Sequence, residues 1–230
     1  MIIYSYMGLL REREEDIHNG NIWERKPVYY FMDPYFIVLG KEQMKKLRKA
    51  TMKGEDEETN AWHAALRFFN GFACATIGPS VMEADYMFIP CCVGNAHWVL
   101  FMFSTKNFNA IILDSLNDEP DYQEDIQGVS WLLPRLLLKL NPQNKLDPSL
   151  VEIMALPSRP KQKNCNDCGI FVMKYMDLMF QGYDLTSIQA WSQELVDTFR
   201  YRIATELQKG KARGISCIRM RKRHESTEEK

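Results

Sequence analysis

The apolar positions change texture along the chain. From Tyr4 to Glu15 the aromatics and the Leu9-Leu10 pair recur at helical spacing before the charged run Arg11-Glu12-Arg13-Glu14-Glu15, which predicts a first helix with one buried face. Pro27 to Leu39 is rich in Tyr, Phe and Val but is broken by Asp33-Pro34, which predicts short extended pieces laid on a core. Lys41 to Met52 sets Met44, Leu47 and Ala50 among charges, the pattern of an amphipathic helix. The polar run Gly54-Glu55-Asp56-Glu57-Glu58 follows as a loop or helix start, and Ala61 to Phe69 predicts a further short helix. Then Tyr86 to Pro90, Trp98 to Phe103 and Phe108 to Leu113 form three dense apolar runs separated by turn signals, which predicts three strands.

Past Asp114 the spacing becomes helical again. Asp125 to Leu140 carries Val129, Leu132, Leu133, Leu136 and Leu140 on one face, with Pro134 expected to bend the helix or begin a new one. Leu150 to Met154 predicts a fourth strand, Gly169 to Phe180 a buried helix, and Leu185 to Leu207 a long amphipathic helix. Helices, then a hairpin-rich sheet, then helices is the order of an α+β fold with a central, mostly antiparallel sheet flanked by helices. No internal repeat is visible, so one domain over 1–207 is expected, followed by a basic, disordered tail over 208–230.

Composition narrows the function classes. With 46% apolar and 26% charged residues the chain can bury a core, and a net charge of -1 lacks the excess of cations expected of a nucleic-acid-binding domain. Only the tail from Lys209 to His224, with Lys209, Lys211, Arg213, Arg219, Arg221, Lys222 and Arg223 and no acidic residue, offers a weak contact for RNA or an acidic partner, or a nuclear address. No apolar run approaches membrane-spanning length, and the first residues do not read as a secretory leader. The expectation is a monomer without membrane attachment, in the nucleus or cytoplasm. No glycine-rich phosphate loop occurs, and no cofactor is expected. In a reducing compartment Cys74, Cys91, Cys92, Cys165, Cys168 and Cys217 are expected to be free thiols.

One constellation carries chemistry. A thiol beside an imidazole, with a carboxylate on the imidazole's far nitrogen, can cleave an amide near neutral pH. If the turn after Phe103 centres between Thr105 and Lys106, antiparallel pairing sets His97 directly opposite Asp114 on one face of a hairpin. Cys168, ahead of Gly169 and the run Ile170-Phe171-Val172, falls at a helix start, where backbone donors and the helix dipole favour a thiolate. Asp167 is expected to cap that helix, with its N–H or that of Cys168 facing an oxyanion. Gly169 would let a substrate backbone approach closely. Gln162, six residues before Cys168, could fold back as an oxyanion donor.

These residues resemble the Ulp1-type family of ubiquitin-like proteases, papain-like cysteine proteases that include SUMO- and NEDD8-specific members and a divergent set in plants. The resemblance rests on His97-Trp98, Asp114-Ser115-Leu116 and Gln162-Lys163-Asn164-Cys165-Asn166-Asp167-Cys168-Gly169, with Pro90 and Asn164 also matching. It implies Cys168 as nucleophile, His97 as base and acid, Asp114 as the orienting carboxylate, Gln162 as oxyanion donor, and Trp98 as one wall of a tunnel for a Gly-Gly tail. It also implies SUMO or another ubiquitin-like protein as partner. The family's Trp-Leu-x-Asp-type segment ahead of the first helix, which supplies the opposite wall, has no match, and Trp23 lies too late to replace it. Either the sequence is truncated there or the tunnel is open on one side.

Three rivals remain at this stage. Cys165 and Cys168 have the spacing of a zinc knuckle or dithiol motif, with Cys91, Cys92 and His97 as further ligands. A module could bind a ubiquitin-like protein without cutting it. A related acyltransferase is disfavoured by aspartate at 114, where those enzymes commonly carry glutamate.

Overall fold

The central strands are apolar on both faces, and the architecture follows from covering both. In a computed structural model of the chain the elements run α1 (Ile2–His18), β1 (Tyr29–Phe31), α2 (Tyr35–Thr51), α3 (Glu55–Cys74), β2 (Tyr86–Val93), β3 (His97–Ser104), β4 (Ala110–Leu113), α4 (Gln123–Leu140), β5 (Ile153–Ala155), α5 (Cys168–Phe180) and α6 (Gln193–Glu225). The structure describes residues 2–18, 28–74, 81, 83–94, 96–116, 123–143, 145, 147–149, 151–155, 159–180 and 191–225, with side chains at 11–18, 70–74, 123–125, 127, 155, 180 and 210–225 excepted. Trp23, part of the segment expected to open the last helix (185–190) and the side chains of Cys74, Cys217 and most of the basic tail therefore lie outside the described residues.

The strands form one five-stranded sheet in the order β1-β2-β3-β4-β5. Alternation along β3 sends Val99, Phe101 and Phe103 to one side, where Phe36, Leu47, Phe69 and Leu132 from α2, α3 and α4 meet them. Leu100 and Met102 point to the other side, against Tyr6, Leu10, Phe171, Met176 and Val196 from α1, α5 and α6. The result is three layers. Gly128 of α4 marks the tightest crossing, since a Cβ there would lie 2.6 Å from the Lys41 Cα of α2.

The α+β architecture with an antiparallel centre to its sheet is as expected, and the structure adds or corrects details. The sheet is mixed: β2-β3 and β3-β4 are antiparallel, but both edge pairings, β1-β2 and β4-β5, are parallel. Asp33-Pro34 starts a helix instead of merely breaking a strand. The Asp33 carboxylate accepts from the Tyr35 N–H at 2.8 Å, its carbonyl accepts from the Phe36 N–H at 2.9 Å, and α2 begins six residues earlier than Lys41. Of the two readings of the acidic run, the helix start holds: Glu55-Glu58 is the first turn of α3, where negative charge suits the dipole. Pro134 lies inside α4, which continues through it.

The hairpin register also differs. Leu100 faces Leu113 and Phe103 faces Ala110, so the turn centres between Lys106 and Asn107, and residue 99, not 97, aligns with 114. The cause is Phe108, whose φ of 53° turns the chain back one residue later than a tight turn would. Its ring, 2% exposed, packs 5.7 Å from Phe103 and offsets that backbone cost. The shift is two residues, so the parity of faces survives.

Candidate active site

His97 opens β3 and Asp114 directly follows β4. They are diagonal neighbours on one face, about 7–8 Å apart at their backbones by sheet geometry, a gap that an imidazole and a carboxylate can bridge. His97 Nε2 lies 2.7 Å from Asp114 Oδ1. The carboxylate is wholly buried and also accepts from the Leu116 N–H at 2.7 Å. The guanidinium of buried Arg159 donates through Nε to the Asp114 carbonyl. With Nε2 committed to a carboxylate, proton exchange with a thiol falls to Nδ1.

Cys168 is the first residue of α5, a free thiol that is 6% exposed. Helix α5 packs on β3, the strand that His97 begins. The Ile170 and Phe171 N–H groups both donate to the Asp167 carbonyl, at 2.8 and 3.0 Å. The N–H groups of Cys168 and Gly169 stand one step nearer the helix start, where no intrahelical acceptor is available. Among the described residues the thiol makes no hydrogen bond. Catalytic hydrogen bonds of this type are often long before substrate arrives and tighten in the complex.

Asp167 does not cap α5 with its side chain, contrary to expectation, and its N–H is engaged within the chain. That N–H donates to Asn164 Oδ1 at 3.1 Å. The carboxylate points away to accept from Asn164 Nδ2 (2.6 Å), Gln193 Nε2 (3.0 Å) and Arg200 Nε (2.9 Å). Burial pushes this carboxyl up, but hydrogen bonds from Gln193, Arg200 and Asn164 outweigh it and hold the group below the ordinary carboxylate range. Gln193 and Arg200 come from α6, so the last described helix holds the residue next to the thiol.

Gln162 is 7% exposed and tied to the segment after Asp114. Its N–H donates to the Ser115 carbonyl at 2.8 Å, its Oε1 accepts from the Ser115 hydroxyl at 2.5 Å, and its Nε2 donates to the Asn164 carbonyl at 2.5 Å. The Tyr175 hydroxyl of α5 donates to the Pro160 carbonyl, and burial pushes that phenol well above its ordinary pKa. Hydrogen bonds thus run from Asp114-Ser115 through Gln162 and Asn164 to Asp167-Cys168.

Trp98 packs on the α1–α5–α6 side of the sheet and lines a groove of about 400 Å³ with Ile3, Tyr4, Tyr35, Val38 and Cys92. A Cβ on Gly169 would meet only Ile3 Cδ1, at 3.7 Å, so packing within the chain does not demand glycine there. Cys91 is buried in the core and Cys92 lines the groove, on opposite faces of β2, so the two cannot grip one metal. Among the described residues no cluster of three or more His, Cys, Asp or Glu could hold a metal ion, and no helix is long and apolar enough to cross a membrane.

Sequence reasoning did not find Arg159, Gln193 or Arg200. Arg159 stood in a polar stretch without pattern, and the α6 pair acts across 26 and 33 residues, where spacing carries no signal.

Over residues 1–212 the sequence matches the Ulp1 protease family, C-terminal catalytic domain. The chain belongs to the Ulp1 protease family. Among curated relatives it is 29% identical over 213 residues to the ubiquitin-like-specific protease ESD4 of Arabidopsis thaliana, covering 90% of this chain and 36% of that protein. It is 30% identical over 137 residues to ubiquitin-like-specific protease 1A of the same plant, covering 59% of this chain and 26% of that protein. The chain therefore spans about a third or less of the curated relatives it matches. The Chaetomium thermophilum Ulp1-like SUMO protease catalytic domain superposes with a TM-score of 0.56 at 18% identity, covering 91% of this chain and 71% of that one. Ulp1 in complex with Smt3, the yeast ortholog of SUMO, gives 0.53 at 16% identity, covering 80% and 69%. This Ulp1-family member shares their fold.

Proposed function

We propose that the chain is a cysteine peptidase that hydrolyses the peptide or isopeptide bond after the C-terminal Gly-Gly of a ubiquitin-like protein such as SUMO. The observation that carries this is the 2.7 Å pair of His97 Nε2 and buried Asp114, held at one end of the strand on which the Cys168 helix packs. The Cys168 thiolate attacks the terminal glycine carbonyl, its proton having passed to His97 Nδ1. Gln162 Nε2 and the N–H groups of Cys168 and Gly169 stabilise the oxyanion. Imidazolium 97, held by Asp114, protonates the leaving amine, and the neutral ring then draws a proton from the water that releases the acyl group. Trp98, beside the groove, forms one wall of the channel for the glycines, and the missing side chain at 169 leaves room for them. The solved complex of Ulp1 with Smt3 supports a ubiquitin-like partner for this fold.

The test is reaction of the purified chain with SUMO and NEDD8 carrying a C-terminal electrophile. Labelling at Cys168 that Cys168→Ser abolishes supports the reading; equal labelling of both proteins, or labelling confined to Cys92 or Cys165, removes Cys168 from its role. One rival is a module that binds a ubiquitin-like protein without cutting it. That rival predicts saturable binding of SUMO with no turnover of a SUMO precursor.

A further inference from the structure

We propose that Ser115 is a positioning residue that holds the Gln162 side chain so that its Nε2 end meets the developing oxyanion. The inference rests on the reading of Gln162 as oxyanion donor and deepens it. The two ends of a glutamine amide have nearly the same shape and opposite polarity. With Nε2 toward the substrate oxygen the side chain stabilises negative charge; with Oε1 there it repels it.

The neighbours of Gln162 settle the choice. The Asn164 carbonyl, 2.5 Å away, can only accept, so the atom facing it is Nε2. Oε1 then faces the Ser115 hydroxyl at 2.5 Å, and that hydroxyl must donate. Nε2 has two protons, of which Asn164 takes one and the other stays for the substrate. Residue 115 also takes the Gln162 N–H on its own carbonyl at 2.8 Å, so one serine holds both main chain and side chain of 162. Both residues are buried, at 1% and 7% exposure, so water cannot replace the hydroxyl without repacking. Ser115 directly follows Asp114, so two consecutive residues orient the imidazole and the oxyanion donor.

The experiment compares the intact chain with Ser115→Ala, Gln162→Ala and the double variant. Two reactions are followed: hydrolysis of a fluorogenic C-terminal amide of SUMO, and alkylation of Cys168 by iodoacetamide read by peptide mass spectrometry. Alkylation displaces iodide and forms no oxyanion, so it reports the thiol and the fold alone. Gln162→Ala is expected to lower kcat about 100-fold or more, the usual effect of losing one oxyanion donor. Ser115→Ala is expected to lower kcat by about tenfold or more with KM little changed, to leave Cys168 alkylation near the parent rate, and to add nothing in the Gln162→Ala background. Parent-like hydrolysis by Ser115→Ala, an undiminished effect in the double variant, or equal losses in hydrolysis and alkylation would overturn the role of Ser115 while leaving Gln162 in place. Parent-like hydrolysis by Gln162→Ala would instead remove the oxyanion reading and this inference with it.

Discussion

His97 and Asp114 are carried by paired strands, whereas Cys168 and Gln162 are carried by a helix start and the loop before it. The strand-borne half is placed by the main-chain ladder, with β3 clamped between β2 and β4 and covered by helices on both faces. The other half is placed by side chains: Ser115 and Asn164 on Gln162, and Asn164, Gln193 and Arg200 on Asp167. A ladder is redundant, because each backbone bond is backed by the next. A side-chain network is not, and losing one member leaves a buried group unsatisfied. The two halves should therefore fail differently.

The sharpest break is in the chemistry itself. His97→Ala or Cys168→Ala should lower kcat for SUMO-amide hydrolysis by about 10⁴-fold or more. Cys168→Ala should leave the thermal unfolding midpoint close to the parent's, whereas His97→Ala takes a partner from the buried Asp114 carboxylate and should lower it. If either variant keeps a tenth of parent activity, the His97–Cys168 pairing is wrong.

The next effect separates the two supports. Arg200→Ala leaves buried Asp167 with only Asn164 and Gln193, and should cost about 1–3 kcal/mol in urea unfolding. It should also slow Cys168 alkylation without changing the His97 imidazole NMR signals. Movement of both the thiol rate and the imidazole signals would show that the halves are not separately held. Gly128→Ala is the matching control remote from both: its new methyl meets the Lys41 backbone, and overpacking there should cost about 1–3 kcal/mol with kcat unaffected at temperatures where the protein stays folded. A fully stable Gly128→Ala would mean that α2 and α4 separate easily.

The smallest expected effect is in acid. The Asp167 carboxyl titrates below its ordinary value near 3.8 in the folded chain, so its contribution is present above that value and is lost as pH falls through the lower folded one. Arg200→Gln should flatten this part of the acid-unfolding curve. An unchanged slope below about pH 4 would show that Gln193 and Asn164 alone carry the stabilisation.

The same contrast governs what sequence could reveal. Strands β2, β3 and β4 were legible because dense β-branched and aromatic runs between turn signals need no knowledge of distant residues. The pairing of His97 with Asp114 was legible only in parity. The turn geometry depends on Phe108 adopting a left-handed backbone against Phe103, which residue type does not announce. The edge strands β1 and β5 were legible as extended pieces at 27–39 and 150–154, but with three residues each they could not announce that their pairings are parallel. Cys168 at a helix start could be read from the apolar run after it. The true partners of Asp167 could not, because a carboxylate before a helix is normally read as a cap and its actual neighbours lie on α6.

The segment 159–168 is pinned along its length: Arg159 to the Asp114 carbonyl, Pro160 to Tyr175, Gln162 to Ser115, and Asp167 to α6. Such a segment behaves as a braced truss. It resists bending at any single point as long as every anchor is in place. Any adjustment on docking is then left to the groove wall near Trp98 and Tyr35, because the segment that carries Gln162 and leads into Cys168 has little slack to give.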